Sequence, residues 1–239
     1  MRLDALLSRY GYCSRREAPG WIKRHSITFK GEPCSAPTDK VQAEGILLDG
    51  EPVEFPDGLY AALYKPAGYT CSHDDGEGDV IYDLLPFQWR HRNPAVSSVG
   101  RLDKETSGLL LITDDGKFIH RMTSPRHHVA KVYEAVTEED IPAEAVELFA
   151  SGTFMLNGED RPCAPAVLEI LEPRRARLTL TEGKYHQVKR MLAARGKPVA
   201  FLRRLSMGPL SLGEELKEGE WRLLTEAEVE ALQRIRSGS

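Results

Sequence analysis

The chain has 239 residues, 41% apolar and 28% charged, which suits one large domain or a small domain beside a medium one. No segment approaches the roughly 18 unbroken apolar residues of a membrane helix, and the opening MRLDALLSRY is charged and amphipathic without a signal-peptide core, so a cytoplasmic chain with no membrane partner is expected. Cys13, Cys34, Cys71 and Cys163 form no Cys-x-x-Cys pair, which argues against a zinc site or a disulfide framework.

Leu3, Leu6 and Leu7 have helical spacing, and Gly11 stops that helix. Ser14 can cap a second helix beginning Arg15-Arg16-Glu17, with Ile22 on its apolar side and Pro19-Gly20 interrupting it. Ile27–Lys30, Gly31-Glu32 and Ile46–Val53 look like short strands joined by turns, and Pro52, Pro56, Asp57 and Gly58 mark a linker. Residues 1–57 therefore read as a small unit. Between Met1 and Gly31 it holds seven Lys/Arg and two acids.

The remainder, 59–236, mixes strands and helices. Tyr60–Tyr64 is a strand ending in the turn Lys65-Pro66-Ala67-Gly68. Gly108–Thr113 is a continuous apolar run, as a strand buried on both faces would be. Asp114-Asp115-Gly116 turns into a helix through Phe118 and Met122. Lys131–Val136, Ala166–Ile170 and Ala176–Leu180 alternate like strands, His186–Arg195 has helical spacing, and Ala200–Leu205 reads as a strand. Thr225-x-x-Glu228 is a capping box opening a last helix through Val229, Leu232 and Ile235. The pattern predicts an α+β fold: the small N-terminal unit, then a mixed, largely antiparallel sheet flanked by helices.

The formal net charge of −4 argues against a nucleic-acid partner, but its distribution argues for one. Lys117–Tyr133 carries four Lys/Arg, three His and no acid; Lys184–Ser206 carries seven Lys/Arg, one His and no acid. Acids gather at Asp74–Asp79, Glu138–Glu147 and Gly213–Glu230. A phosphate chain responds to the local field, so three acid-poor stretches point to RNA or DNA rather than to three solvated helix faces.

Phosphate-cradling Gly-x-x-x-x-Gly-Lys-Ser/Thr, Gly-x-Gly-x-x-Gly, His-Glu-x-x-His and Gly-x-Ser-x-Gly are all missing, which disfavours the common NTPases, dehydrogenases, zinc proteases and serine hydrolases. Three segments stand out instead. Gly100-Arg101-Leu102-Asp103-Lys104-Glu105-Thr106-Ser107-Gly108 places a carboxylate in a loop before the buried strand, as a functional site or as a turn aspartate. Lys131-Val132-Tyr133 follows the basic Ser124-Pro125-Arg126-His127-His128; such an aromatic can stack on a base beside phosphate-binding cations, or simply pack in its strand. Glu182-Gly183-Lys184-Tyr185-His186-Gln187-Val188-Lys189-Arg190-Met191 runs from a glycine turn into a cation-rich helix.

In this order and at these separations the three segments resemble the RsuA/RluB-type branch of the RNA pseudouridine synthases, and the resemblance covers nearly the whole chain. Lys65-Pro66-Ala67-Gly68-Tyr69 looks like the start of that family's catalytic domain. The N-terminal unit resembles an S4-type RNA-binding domain, with Ser14-Arg15-Arg16-Glu17-Ala18 its recognisable part. The resemblance implies that Asp103 is the catalytic aspartate, that Tyr133 packs on the target base, and that Lys189 pairs with the aspartate. It implies that Arg101 fills the space of a flipped base or holds its phosphate. Arg15, Arg16, Lys23, Arg24 and Lys30 become phosphate contacts of the small domain, and Arg126, His127, His128, Lys131, Lys184, Tyr185, Gln187 and Arg190 RNA contacts of the large one.

Within the branch, Lys65–Ser72, Ser124–His128 and Tyr185–Met191 most resemble members acting on the ribosomal small subunit. That implies 16S rRNA at uridine 516, or a small-subunit assembly intermediate, as the RNA partner. The same chemistry on 23S rRNA or tRNA stays open, as does a non-catalytic RNA-binding or ribosome-assembly role. A hydrolase using Asp103 as nucleophile would need a base nearby, and His186 is the only obvious one. Pseudouridine formation leaves the formula of the base unchanged, so no cofactor and no metal is expected. A monomer is the default assembly.

Overall fold

The computed structural model describes residues 1–74, 76 and 78–235. The expected domain end at residue 236, and Asp75 and Glu77 of the acidic stretch, lie outside the described residues.

The first unit has two short helices, α1 (Leu3–Arg9) and α2 (Ala18–Ile22), on a sheet of four short strands: β1 (Ile27–Phe29), β2 (Glu32–Pro33), β3 (Ile46–Leu48) and β4 (Glu51–Pro52). Their order is β2-β1-β3-β4, all antiparallel. Leu3, Leu6 and Leu7 bury against Ile22, Ile27, Ile46 and Val53 in a core of their own. The second helix begins later than its sequence suggests. Ser14 and Glu17 exchange hydrogen bonds (Ser14 N to Glu17 Oε2 at 3.0 Å, Glu17 N to Ser14 Oγ at 3.3 Å) across a turn before Ala18. Pro19 then sits in the first turn, where its missing N–H costs nothing.

The segment expected to be a linker is clamped. Arg92, nearly fully buried, donates Nη1 to Glu54 O (3.2 Å) and Nη2 to Phe55 O (3.1 Å), and its guanidinium lies 5.1 Å from the Tyr10 ring centroid. It also pairs with Asp114 at 2.8 Å, and Asp114 accepts from Leu59 N at 2.9 Å. Tyr10 Oη donates to Pro56 O (3.2 Å), Gln88 Nε2 to Tyr10 O (3.2 Å) and Asn93 N to Arg9 O (3.0 Å). A seam of one buried ion pair and several backbone acceptors thus fixes the small unit against the large one.

The large unit contains, in chain order, β5 (Tyr60–Lys65), a 3-10 turn (Ile81–Leu84), α3 (Phe87–Arg90), β6 (Ser97–Ser98), β7 (Ser107–Thr113), α4 (Gly116–Thr123) and β8 (Lys131–Thr137). It continues with α5 (Glu144–Ala150), β9 (Val167–Glu172), β10 (Arg175–Leu180), α6 (Gln187–Ala193), β11 (Val199–Met207), β12 (Leu210–Ser211), β13 (Trp221–Leu223) and α7 (Glu226–Gln233). The sheet order is β13-β5-β7-β11-β8-β10-β9, with β12 on β11 and β6 on β7. Only β7 and β11 run parallel, so the sheet is mixed and largely antiparallel.

β7 is buried at every position because its alternating side chains enter two cores. Leu110 and Ile112 pack with Ile81, Leu85 and Trp89; Leu109 and Leu111 pack with Phe118, Met122 and Leu232. The other half of the sheet, β8-β10-β9, is covered by α5 and α6 through Phe149, Met191 and Leu192. The β7–β11 junction lies between these halves, and the cavity described next opens beside it.

Candidate active site

The loop before β7 is tied down from behind. Lys65, at 0% exposure, donates its ammonium to Pro66 O (2.9 Å), Lys104 O (3.2 Å) and Thr106 O (2.8 Å). Burial pushes its pKa down to about 8. Gly68 N donates to Lys104 O (2.7 Å), Cys71 Sγ to Leu102 O (3.5 Å), and Thr106 N to Asp103 O (3.0 Å). With its carbonyls held on one side, the loop presents the Asp103 carboxylate, 26% exposed, on the other.

Gly108 lets β7 reach this position. Its φ is +111°, and a Cβ there would stand 2.3 Å from the carbonyl oxygen of Arg204, its parallel-strand neighbour.

Asp103 lines two cavities. One of 410 Å³ is walled by Asp103, Thr106, Lys131, Tyr133, His186 and Arg204, among others. A neighbouring one of 520 Å³ shares Arg101, Asp103 and His186 and extends to Cys71 and Tyr185. Tyr133 enters the first from β8, where it faces Leu178 on β10 and Arg204 on β11.

The partner of Asp103 differs from the one expected. His186 Nε2 lies 3.2 Å from Asp103 Oδ1, whereas Lys189 Nζ lies 3.6 Å from Glu105 Oε2 and forms no ion pair with Asp103. His186, just before α6, and Lys189, in its first turn, reach the same loop at points two residues apart, and His186 meets the aspartate. His186 takes a left-handed backbone (φ +46°) just before α6, and its ring stacks on Tyr185 at 3.8 Å between centroids.

Several expected RNA contacts have internal work. Gln187 is 4% exposed; its amide donates to Glu182 Oε1 (2.6 Å) and accepts from Lys184 N (2.9 Å), so it shapes the turn from the cavity wall. Lys184 and Arg190 both grip Glu159, at 3.2 and 2.7 Å, and Arg190 also donates to Asn157 O and Tyr185 O. Their charges are spent holding the loop around 157–161 onto α6. Tyr185, 69% exposed, lines the second cavity with its ring stacked on His186. Arg101, Arg126 and His128 are exposed near the cavities, His127 is half-buried, and Arg15, Arg16, Lys23, Arg24 and Lys30 are all exposed on the small unit.

Lys131 and Arg204 form the cavity's basic floor. Lys131 has its pKa pushed down to about 8, by burial first and by the Arg204 charge second. Arg204 was not singled out in the sequence. Its signal was the pair Arg203-Arg204 within a strand, since consecutive strand residues face opposite ways and one of the two must point inward. Arg203 takes Glu134 (2.5 Å) and Tyr64 Oη (3.3 Å); Arg204 goes inside.

Comparison with known proteins matches this architecture to one family. The RNA pseudouridylate synthase profile covers residues 59–194, which span the Asp103 loop, Tyr133 and all of α6. The ribosomal small subunit pseudouridine synthase A of Pasteurella multocida (strain Pm70) is 40% identical over 231 residues, 96% of this chain and 98% of the relative. The protein of that name from Escherichia coli (strain K12) is 40% identical over 233 residues, again 96% and 98%. A crystal structure of a pseudouridylate synthase superposes with a TM-score of 0.68 at 37% identity, covering 97% of this chain and 99% of the other. Fold, cavity and sequence agree: the chain belongs to the RNA pseudouridine synthases.

Proposed function

We propose that the chain converts one uridine of small-subunit ribosomal RNA, uridine 516 of 16S rRNA, into pseudouridine. The observation that carries the reading is the Asp103 carboxylate on the wall of a base-sized cavity whose other wall holds Tyr133. The names and near-complete coverage of the P. multocida and E. coli relatives support the small-subunit target.

The uridine leaves its stack and enters the cavity, at a cost of a few kcal/mol that phosphate contacts and stacking offset. Tyr133 packs on the uracil. Asp103 acts as a carboxylate on the ribose side, with His186 fixing the direction of Oδ1. Arg101, exposed and shared by both cavities, holds the flipped nucleotide's phosphate or the gap left in the stack. Residues 1–57 act as an S4-like RNA-binding domain, and 59–236 as the catalytic domain. Support for the first is the set of exposed cations that flank α2 on both sides, Arg15, Arg16, Lys23 and Arg24, with Lys30 in the turn after β1.

The test is Asp103→Asn, nearly isosteric and uncharged. Tritium release from 5-tritiated uridine in 16S rRNA should fall to background while RNA binding survives. Substantial turnover by that variant would remove Asp103 from the role. Mapping pseudouridine in rRNA from cells lacking the protein checks the target: loss at a 23S rRNA or tRNA position, with 16S rRNA unchanged, would overturn the assignment.

A further inference from the structure

The cavity floor has a chemistry that the roles above do not use. Arg204 is 1% exposed, among the most buried large side chains of the protein. Its Nε donates to Leu109 O at 2.8 Å, but Nη2 has no hydrogen-bond partner among the described residues. It forms no ion pair there either. Lys131, beside it, donates to Val129 O at 3.2 Å and forms no ion pair among the described residues, Glu182 acting on it only from a longer distance. Thr106 Oγ1, also buried and also lining the cavity, is unpartnered. Two acids line the same cavity. Asp103 is engaged by His186, and Glu182 accepts from Gln187 Nε2 and from Ala164 N (2.9 Å).

Leaving a buried guanidinium N–H without an acceptor, beside a half-buried ammonium that has one carbonyl and no ion-pair partner, is costly. Such a site is complementary to something that arrives carrying negative charge on oxygen. Resting on the pseudouridine reading, we propose that Arg204 and Lys131, with Thr106, form a carbonyl-binding floor that holds a uracil carbonyl oxygen and stabilises the uracil anion while the base is detached from the sugar.

The charge balance of the reaction calls for such a group. When the C1′–N1 bond breaks, its electron pair stays with the base and spreads from N1 onto O2 and O4. The positive charge left at C1′ faces Asp103. The pair then returns through C5 to make the C1′–C5 bond, the C5 proton leaves, and N1 takes up a proton. Nothing is oxidised. The base is an anion only between those two events, so cations aimed at its oxygens bind that state more tightly than neutral uridine. The low pKa of Lys131 belongs with this arrangement, since an arriving anion would favour its charged form.

The assignment predicts a dependence on how good a leaving group the base is. Fluorine at C5 withdraws electrons and makes the base anion less basic, so 5-fluorouracil needs less help to depart. Arg204→Met and Lys131→Met would be compared with the unaltered chain in single-turnover cleavage of the target C1′–N1 bond. The RNAs carry uridine or 5-fluorouridine, with loss of the N-linked nucleoside read by chromatography and fragmentation in tandem mass spectrometry, since the N-linked nucleoside sheds its base readily and a C-linked one does not. Removing one donor from such a floor should slow the uridine reaction about 100-fold. The loss on 5-fluorouridine should be at least about tenfold smaller.

Equal losses on the two RNAs, or unchanged rates, would overturn the floor and leave Arg204 as a strut for Leu109. Should Arg204→Met fail to fold, Lys131→Met makes the same comparison alone. If the unaltered chain leaves uridine untouched, the pseudouridine reading fails and takes the floor with it. If it isomerises uridine and the variants lose equally on both RNAs, only the floor fails.

Discussion

Asp103 is held by a residue that never meets the substrate. The Lys65 ammonium joins three carbonyls at the back of the loop, two of them within three residues of the aspartate. Lys65→Met would strand those acceptors, and we expect a loss of about 3 kcal/mol in denaturant unfolding. The same lysine gives a pH signature. Burial holds its pKa at about 8 in the folded chain, against 10.5 for an ordinary lysine. Between those values the unfolded chain binds the proton that the folded chain has released, so this group makes stability rise with pH. Below about pH 8 both states bind it, and the full cost of burying the charge is present. Unfolding midpoints from pH 7 to 10 should show this rise in the unaltered protein and a smaller one in Lys65→Met, where Lys131, also near 8, supplies what remains. The sequence marked Lys65 only as the start of a turn, because burial of a lysine cannot be read from its neighbours.

The partner of the aspartate was legible only as a choice. The Tyr185–Met191 segment offers His186, Lys189 and Arg190, and helical spacing alone does not say which meets a loop 80 residues earlier. The geometry selects His186. His186→Gln should therefore slow single-turnover isomerisation more than Lys189→Gln, about tenfold against a few-fold. The reverse order would give the role back to Lys189. In stability the Lys189 change should be worth no more than about 0.5 kcal/mol, because Glu105 is largely exposed.

Among the elements, β7 was the most legible, since its apolar run is too continuous for a strand with one wet face. Its closeness to β11 was not, because it depends on a partner nearly a hundred residues away. Gly108 is where that closeness is decided. Gly108→Ala would drive a methyl into the Arg204 backbone and force a positive φ on an alanine. We expect about 3 kcal/mol or more of destabilisation by chemical denaturation, with the cavity floor displaced. Helix α5 went unrecognised because Glu138–Glu147 stood out for its acids; Ala145 and Phe149, four apart, are its fully buried residues, with Val146 and Leu148 packed partly against the same core. The capping box at Thr225 was legible outright, its spacing being the whole of its chemistry.

At the scale of the molecule, the sequence announced two units but not the seam between them. Pro52, Pro56 and Gly58 have linker composition, yet the backbone there is captured by Arg92, which nothing in its own neighbourhood marks as buried. Arg92→Leu would leave Asp114 without its cation and Glu54 and Phe55 without donors. Breaking a buried pair in this way costs about 3 kcal/mol or more. Unfolding followed by tryptophan fluorescence should then split into two transitions, the small unit melting first; a single unshifted transition would show the seam to be dispensable.

The seam also turns the small unit into a caliper. With Arg92, Asp114 and Tyr10 locking the two bodies, the span from the exposed arginines of the first to the carboxylate of the second is a constant of the protein. If the first body grips RNA as proposed, a uridine would be chosen less by the letters around it than by its offset from the gripped feature, and the folded RNA would have to supply that offset itself.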